Sequence, residues 1–372
     1  MEKILVTGGS GFIGSHTVDE LIERGYEVRV LDNLEPQVHG RTPPKYNNRD
    51  AEYITGDVRY RKSWLKALQG IDAIIHLAGS VGIGQSFWEA KKYMDVNVSG
   101  TALMYELITK DLKLKRRIKR IVVASSKSLY GEGSYTCKEH GEQAPEVRPL
   151  KQLAQKEWEV KCPMCGSPMS PIGVKEAKAP QNLNPYSLSK YATERLAVDY
   201  SYSIGIPTVA FRYFNVYGER QSLSNPYTGV MAIFLSRIKN NNSPLLFEDG
   251  KQLRDYIYVK DVARLNVDAL KNGSGVYNLG TGSGTSLIGI VEKLNKELGT
   301  KVSPNVSTEF RPGDNRHDFA NVSHLVRDFG KINFTPLDKG IRDLANWSEG
   351  VNSIDRFEKE EAERKKFLGA FK

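Results

Sequence analysis

The sequence predicts an α/β chain built on a doubly wound parallel sheet, and three observations carry that prediction. Short apolar runs alternate with amphipathic stretches through the first half of the chain, the periods expected of strands and helices. A glycine-rich turn follows the first run directly, where such folds bring a helix N-terminus to a phosphate. An aspartate closes the second run, 24 residues after the first of those glycines.

The runs read as strands are "KILVTG", "YEVRVLD", "AEYITGD", "DAIIHLAG" and "RIVVASS", with helices following from about Ile13, Lys62, Trp88 and Tyr186. After "IPTVAFRYFN" the alternation weakens, and loops rich in Asn, Pro and Gly connect shorter elements. That change predicts a smaller lobe over the carboxyl edge of the sheet, where such folds hold ligands. The expected organisation is a cofactor domain over residues 1–212, carrying an insertion at 132–184, then a lobe at 213–351 interleaved with it. A charged tail at 352–372 reads as an amphipathic helix packed on the surface.

The composition, 40% hydrophobic and 26% charged over 372 residues, is that of a soluble globular protein with a sizeable core. No run approaches the roughly 18 apolar residues of a membrane helix, and the start lacks a signal peptide's apolar core. A cytoplasmic protein without a membrane partner is expected. The net charge of +9 is densest at "KLKRRIKR", Lys113 to Arg120, read as a helix end where basic side chains suit the dipole. No nucleic acid polymer is therefore expected as partner, and the positive field suits an anionic small substrate.

Gly8, Gly11 and Gly14 recur every third residue, while Gly9, Gly11 and Gly14 also fit G-x-G-x-x-G. Both registers let the backbone approach a pyrophosphate. Asp32, in "VLDN", can accept ribose hydroxyls and would repel a 2′-phosphate, which favours NAD over NADP. Further on, "NPYSLSKYATE" places Tyr186 and Lys190 on one helix face. A phenol of ordinary pKa near 10 is a poor base at neutral pH, and a neighbouring ammonium favours its phenolate.

Several motifs in order, "TGGSGFIG", "GDV", "HLAG", "NVSGT", "ASSKSLYG", "YSLSK", "RYFNVYG", "RDYIYVKDVA" and "RPGD", resemble the extended short-chain dehydrogenase/reductases of the NAD-dependent nucleotide-sugar epimerase and dehydratase group. The resemblance spans nearly all of residues 1–350 and implies a Rossmann-type sheet with a substrate-binding lobe. It implies a cofactor surface of Gly8, Gly11, Phe12, Ile13, Gly14, Asp32 and Asn33, with Asp57 and Val58 along the adenine. Ala78 and Gly79 would lie near the cofactor's centre, Asn97 behind the catalytic strand, and Leu77, Tyr186, Lys190 and Tyr213 would complete the contacts. Ser126, four residues before Tyr130, would bond the sugar oxygen and form the catalytic set with Tyr186 and Lys190. Asn215, Arg254, Arg311 and Asp314 would hold the sugar diphosphate and the nucleoside ribose, a task for which guanidinium forks and carboxylates are suited.

In this family the residues after the catalytic serine separate the reactions: dehydratases carry Asp-Glu there and decarboxylating relatives carry Glu. Here they are Lys127 and Ser128. The economical reading is a 4-epimerase that oxidises its nucleotide sugar at C4 and re-reduces it on the other face. A non-catalytic NAD-bound sensor would need none of the Ser126, Tyr186, Lys190 set. "DNLEPQVHG", "SVGIGQSFWE" and the Cys-bearing insertion resemble the dTDP-L-rhamnose 4-epimerase branch in particular. UDP-glucose 4-epimerases and nucleotide-sugar reductases of the same family are the alternatives. The resemblance also implies a homodimer formed through the helix after "KYMDVN" and the helix bearing Tyr186.

The insertion holds all three cysteines of the chain. Cys137-x-x-His140 and Cys162-x-x-Cys165 are each followed by a glycine, Gly141 and Gly166. Two such pairs from tight turns can complete one closed tetrahedral zinc knuckle, a structural site without a position for water. A redox-active Cys162–Cys165 pair and simple buried thiols are the competing readings.

Overall fold

In the computed structural model, which describes residues 1–40, 42–181 and 184–368, seven aliphatic runs make one sheet. They are β1 (Lys3–Thr7), β2 (Glu27–Asp32), β3 (Glu52–Thr55), β4 (Ala73–His76), β5 (Arg120–Ser126), β6 (Thr208–Tyr213) and β7 (Gly275–Leu279). Their order is β7-β6-β5-β4-β1-β2-β3, every pair parallel. A parallel sheet needs both faces covered, and successive residues divide between two cores. Ile4, Val6, Val30 and Ile75 face the helices Phe12–Glu23 and Val259–Asp268. Leu5, Leu31, Ile74 and Val123 face the helices Arg61–Ala67, Gly100–Lys110 and Pro185–Ile204.

The five predicted strands are present, and three helices begin within a residue of the expected starts. Two elements differ. The helix expected from Trp88 is a broken run, Ala90–Tyr93, a π-helical turn Met94–Ser99, and then Gly100–Lys110. A wide turn of this kind re-aims a side chain, here Asn97, toward its neighbours. The seventh strand comes from a stretch in which the alternation had faded; Tyr277, Asn278 and Leu279 are all buried, so no polar face marks it.

The second lobe carries Asn215–Tyr217, Leu253–Tyr258, Gly284–Ser286 and His317–Asp318 as one small sheet. The helices Val230–Lys239, Leu287–Leu298 and Leu337–Glu349 share its core around Phe234, Leu235, Ile290 and Leu344. The terminal helix is described over Phe357–Leu368. Its predicted end at 369–372, and positions 182–183 of the insertion, lie outside the described residues.

The insertion folds on three short antiparallel strands, Ser134–Cys137 between Gly141–Gln143 and Ser170–Ile172. Its own core is small, Tyr135, Cys137, Val160, Cys162 and Met169. Charge fastens it to the second lobe. Arg316, fully buried, reaches Glu159 at 2.6 Å, Asp249 at 2.6 Å and Glu248 at 3.1 Å, while Arg148 reaches Glu248 at 2.8 Å. Glu132 accepts the backbone N–H of Arg316 and the hydroxyl of Tyr135. Removing one member of such a network strands the others. Arg316→Met should therefore lower the stability measured by urea unfolding by about 3–5 kcal/mol; an unchanged unfolding midpoint would refute the network's structural role.

Candidate active site

At the carboxyl end of β1 the chain turns through Gly8 at φ +70°, a conformation costly for any residue with a side chain. A Cβ on Gly8 would lie 2.8 Å from the Ala78 nitrogen, and one on Gly14 would overlap the Gly8 carbonyl. Gly9 is also confined, against Val30, whereas a Cβ on Gly11 would meet only the Gly8 oxygen at 3.2 Å. The helix then starts at Phe12 and Ile13 without a side-chain cap, so its first N–H groups point into the turn. Asp32, at the end of β2, accepts from Ser10 N at 3.0 Å and Leu34 N at 2.8 Å. Asn33 donates to Asp57 at 3.2 Å, and Val58 is buried beside Gly100.

The N–H groups of Leu77 and Ala78 bond Thr7 at 3.1 and 3.2 Å, which seats them beside Gly8. A Cβ on Gly79 would stand 3.0 Å from Asn97 Oδ1 and 3.1 Å from Lys190 Nζ. The expected cofactor residues thus line one continuous edge, with a cradle for a pyrophosphate and a carboxylate for a ribose diol. This donor set fits NAD. Tyr213 stands apart: it is buried in the sheet's core with its hydroxyl given to Asn266 at 2.7 Å.

The helix Pro185–Ile204 starts sharply because Asn184 and Ser187 form a capping box and Pro185 occupies its first turn. That start puts Tyr186 and Lys190 one turn apart, opposite the end of β5. Burial pushes the Tyr186 phenol above its ordinary range, and the nearby Ser126 hydroxyl pulls it back. Lys190 is buried, donates to the Ala124 carbonyl at 3.0 Å, and burial lowers its ammonium to about 8. The sequence led us to expect the ammonium to govern the phenol; in the folded chain desolvation is the larger influence on both. Asn97 joins the group from the π-helical turn, donating to Ser189 at 2.9 Å and to the Ser80 carbonyl. Tyr93 places its ring edge-on to Tyr186, centroids 6.1 Å apart.

Lys127, directly after Ser126, points to the second lobe and bonds Asp318 at 2.5 Å. Asp318 also receives Asn315 and lies 3.6 Å from Arg254. Its other oxygen, Oδ1, is buried without a partner among the described residues. Arg254 donates to the carbonyls of Leu253, Asn315 and Arg316, and Asn215 to the carbonyl of Asp255 at 3.0 Å. Arg311 stacks over the Phe247 ring at 4.1 Å, with Asp314 closing a turn onto its carbonyl. The sequence offered no sign of the Lys127–Asp318 pair, whose members stand 191 positions apart.

In the insertion, Cys137 Sγ, His140 Nδ1, Cys162 Sγ and Cys165 Sγ gather within 4.8 Å of one another. The measured separations are 3.6 Å for Cys137–His140 and 3.7 Å for both Cys137–Cys165 and Cys162–His140. A tetrahedron with bonds of about 2.3 Å to sulfur and about 2.0 Å to nitrogen has edges of roughly 3.5–3.8 Å. These three separations fit it. Gly141 and Gly166 take φ +68° and +73°, the turns that each pair requires.

The model of the NAD dependent epimerase/dehydratase family matches residues 4–154 and 164–280. The chain belongs to that family. The match breaks over 155–163, inside the insertion. A dTDP-L-rhamnose 4-epimerase of Burkholderia thailandensis is 32% identical over 93% of this chain and 94% of its own length. The mouse UDP-glucose 4-epimerase is 30% identical, covering 94% of this chain and 97% of its own. Among solved structures, a UDP-glucose 4-epimerase of Thermotoga maritima with UDP-glucose superposes with a TM-score of 0.75 at 28% identity, covering 93% of this chain and 98% of that one.

Because the Ser126 hydroxyl lowers the Tyr186 phenol against the effect of burial, Ser126→Ala should move its titration to higher pH. The difference in tyrosinate absorbance between Ser126→Ala and Ser126→Ala/Tyr186→Phe measures it, against the same pair on the native serine. A shift to lower pH would contradict the assignment.

Proposed function

We propose that this family member is an NAD-dependent nucleotide-sugar 4-epimerase, in which Tyr186 moves the proton of the sugar C4 hydroxyl. One observation carries the reading: Tyr186 stands near Ser126, whose hydroxyl draws its phenol down against burial, while the position where the family's dehydratases place an acid holds Lys127, its charge met by Asp318. With no carboxylate presented there for water loss, proton removal and return at one oxygen is the chemistry left. Ser126 Oγ orients the C4 oxygen and Tyr186 Oη takes its proton, helped by the nearby positive charge of Lys190. Gly8, Gly11, Gly14, Asp32, Asp57 and the Ala78–Gly79 edge would hold NAD, which supplies reversible hydride acceptance. After the keto-sugar turns in the pocket, Tyr186 returns the proton and leaves the opposite configuration. Asn215, Arg254, Arg311 and Asp314 hold the nucleoside diphosphate while the sugar turns.

For the substrate, dTDP-L-rhamnose is our first reading, supported by the Burkholderia thailandensis relative and by the Cys/His insertion. UDP-glucose is the second, favoured by the mouse relative and the Thermotoga maritima structure. The homodimer face falls on the helices Gly100–Lys110 and Pro185–Ile204, where Leu188 and Tyr202 are exposed.

The purified chain, incubated with either nucleotide sugar and no added reductant, should interconvert it with its C4 epimer. Tyr186→Phe should slow that turnover by about 10²–10⁴-fold. Net consumption of NADH, or loss of water from the sugar, would overturn the epimerase reading.

We also propose that Cys137, His140, Cys162 and Cys165 hold one structural zinc, which ties down a module with a very small core of its own. Metal analysis of protein purified without added zinc should find about one zinc per chain, because four closed ligands bind tightly. Cys165→Ser removes an exposed ligand, so its loss of metal and a fall in Tm would report the site rather than core packing. Native protein that is metal-free with an ordered insertion would overturn it.

A further inference from the structure

The terminal helix Phe357–Leu368 has a burial pattern that a surface tail does not need. Glu360, Glu361 and Arg364 on its inner face are all buried, and burial pushes the Glu360 carboxyl up to about 7. Buried carboxylates are costly unless they meet a cation. Glu361 meets three: Arg311 at 3.1 Å, Arg364 at 2.5 Å and Lys365 at 3.8 Å. Arg311 is the guanidinium that the clamp reading assigns to the substrate's diphosphate. It lies flat on Phe247, and its Nε is buried without a partner among the described residues.

The helix also reaches across the cleft. Phe367 stacks on Trp88 with centroids 5.2 Å apart, and a Cβ on Gly84 would touch Glu360 at 3.4 Å. Both belong to the loop that follows the cofactor edge at Ala78–Gly79. From the second lobe, Tyr227 bonds Glu363 and Arg237 bonds Glu358 at 3.1 Å. Tyr227 in turn packs near Gly82, which lies near Tyr93, the ring set edge-on to Tyr186. One helix therefore touches both walls of the substrate cleft and places a carboxylate on the anion-binding arginine.

We propose that the terminal helix is an internal competitor of the substrate: Glu361 occupies the diphosphate position on Arg311, and a nucleoside diphosphate must displace the helix to bind. This rests on the clamp reading of Arg311. Phosphate oxygens and a carboxylate compete for the same guanidinium fork, so the closed form lowers apparent affinity by the fraction of molecules that are open.

The test uses the full chain with dTDP and UDP as probes. Calorimetric titration should find binding to Glu361→Gln tighter than to the native protein by about threefold to tenfold, the release expected when a largely closed population opens. Hydrogen exchange of the native chain should speed up at residues 357–367 when the nucleoside diphosphate is added. Equal or weaker binding by Glu361→Gln overturns the proposal while leaving the clamp intact. Slower exchange also overturns it, marking the helix as a lid closing on its ligand. If neither protein binds either probe, the clamp falls and takes the competitor with it.

Discussion

Three consecutive residues at the end of β5 hold the helix that carries Tyr186 and Lys190. The Ala124 carbonyl accepts Lys190, the Ser125 hydroxyl bonds Glu194 at 2.7 Å, and Ser126 engages Tyr186. Each residue of the strand takes a different turn of the helix, so the helix can neither slide nor rotate without breaking a buried polar contact. The cluster extends behind the strand, where Arg212 pairs with Glu194 at 2.7 Å and donates to the Tyr130 hydroxyl. Tyr130 then bonds Asn278 on β7. The placement of Tyr186 and Lys190 thus depends on three strands of the sheet at once.

Local features of this fold were legible from the residues. The glycine turn, the aspartate ending β2 and the helix carrying Tyr186 and Lys190 all act within a few residues of themselves, so spacing alone announces them. The Cys/His quartet was legible because each half sits in one tight turn. What escaped was long-range or amphiphilic in an unexpected sense. Nothing near Lys127 announces Asp318, and nothing in "GVYNL" shows that both faces of β7 are covered. The tail read as a charged amphipathic helix packed on the surface, yet its inner face holds two carboxylates and an arginine, because the pairing partner Arg311 lies in a different segment. Tyr213 read as a cofactor contact by resemblance, whereas its side chain is spent on core packing and on Asn266.

The net charge of +9 also takes on a different meaning in the folded chain. Arg148, Arg212 and Arg316 are buried against Glu132, Glu194, Glu248 and their neighbours, so these cations contribute little to the outer field. They act as internal fasteners, and two of them, Arg148 and Arg316, join the insertion to the second lobe and to the segment carrying Asp318. Arg316 stands two residues before Asp318 and Arg148 bonds the Asp314 carbonyl, so the insertion buttresses the wall facing Lys127.

The root of the insertion is fitted more closely than its tip. A Cβ on Gly133 would overlap the carbonyl of His317, so backbone lies on backbone where the added segment leaves the common fold. A module attached by a flexible stalk could be cut out and replaced by a shorter loop, and the host would close over the gap. Here excision would leave Arg316 without Glu132 and Glu159. The segment is therefore not portable. Any shortening of it has to replace the partners that it gives Arg316.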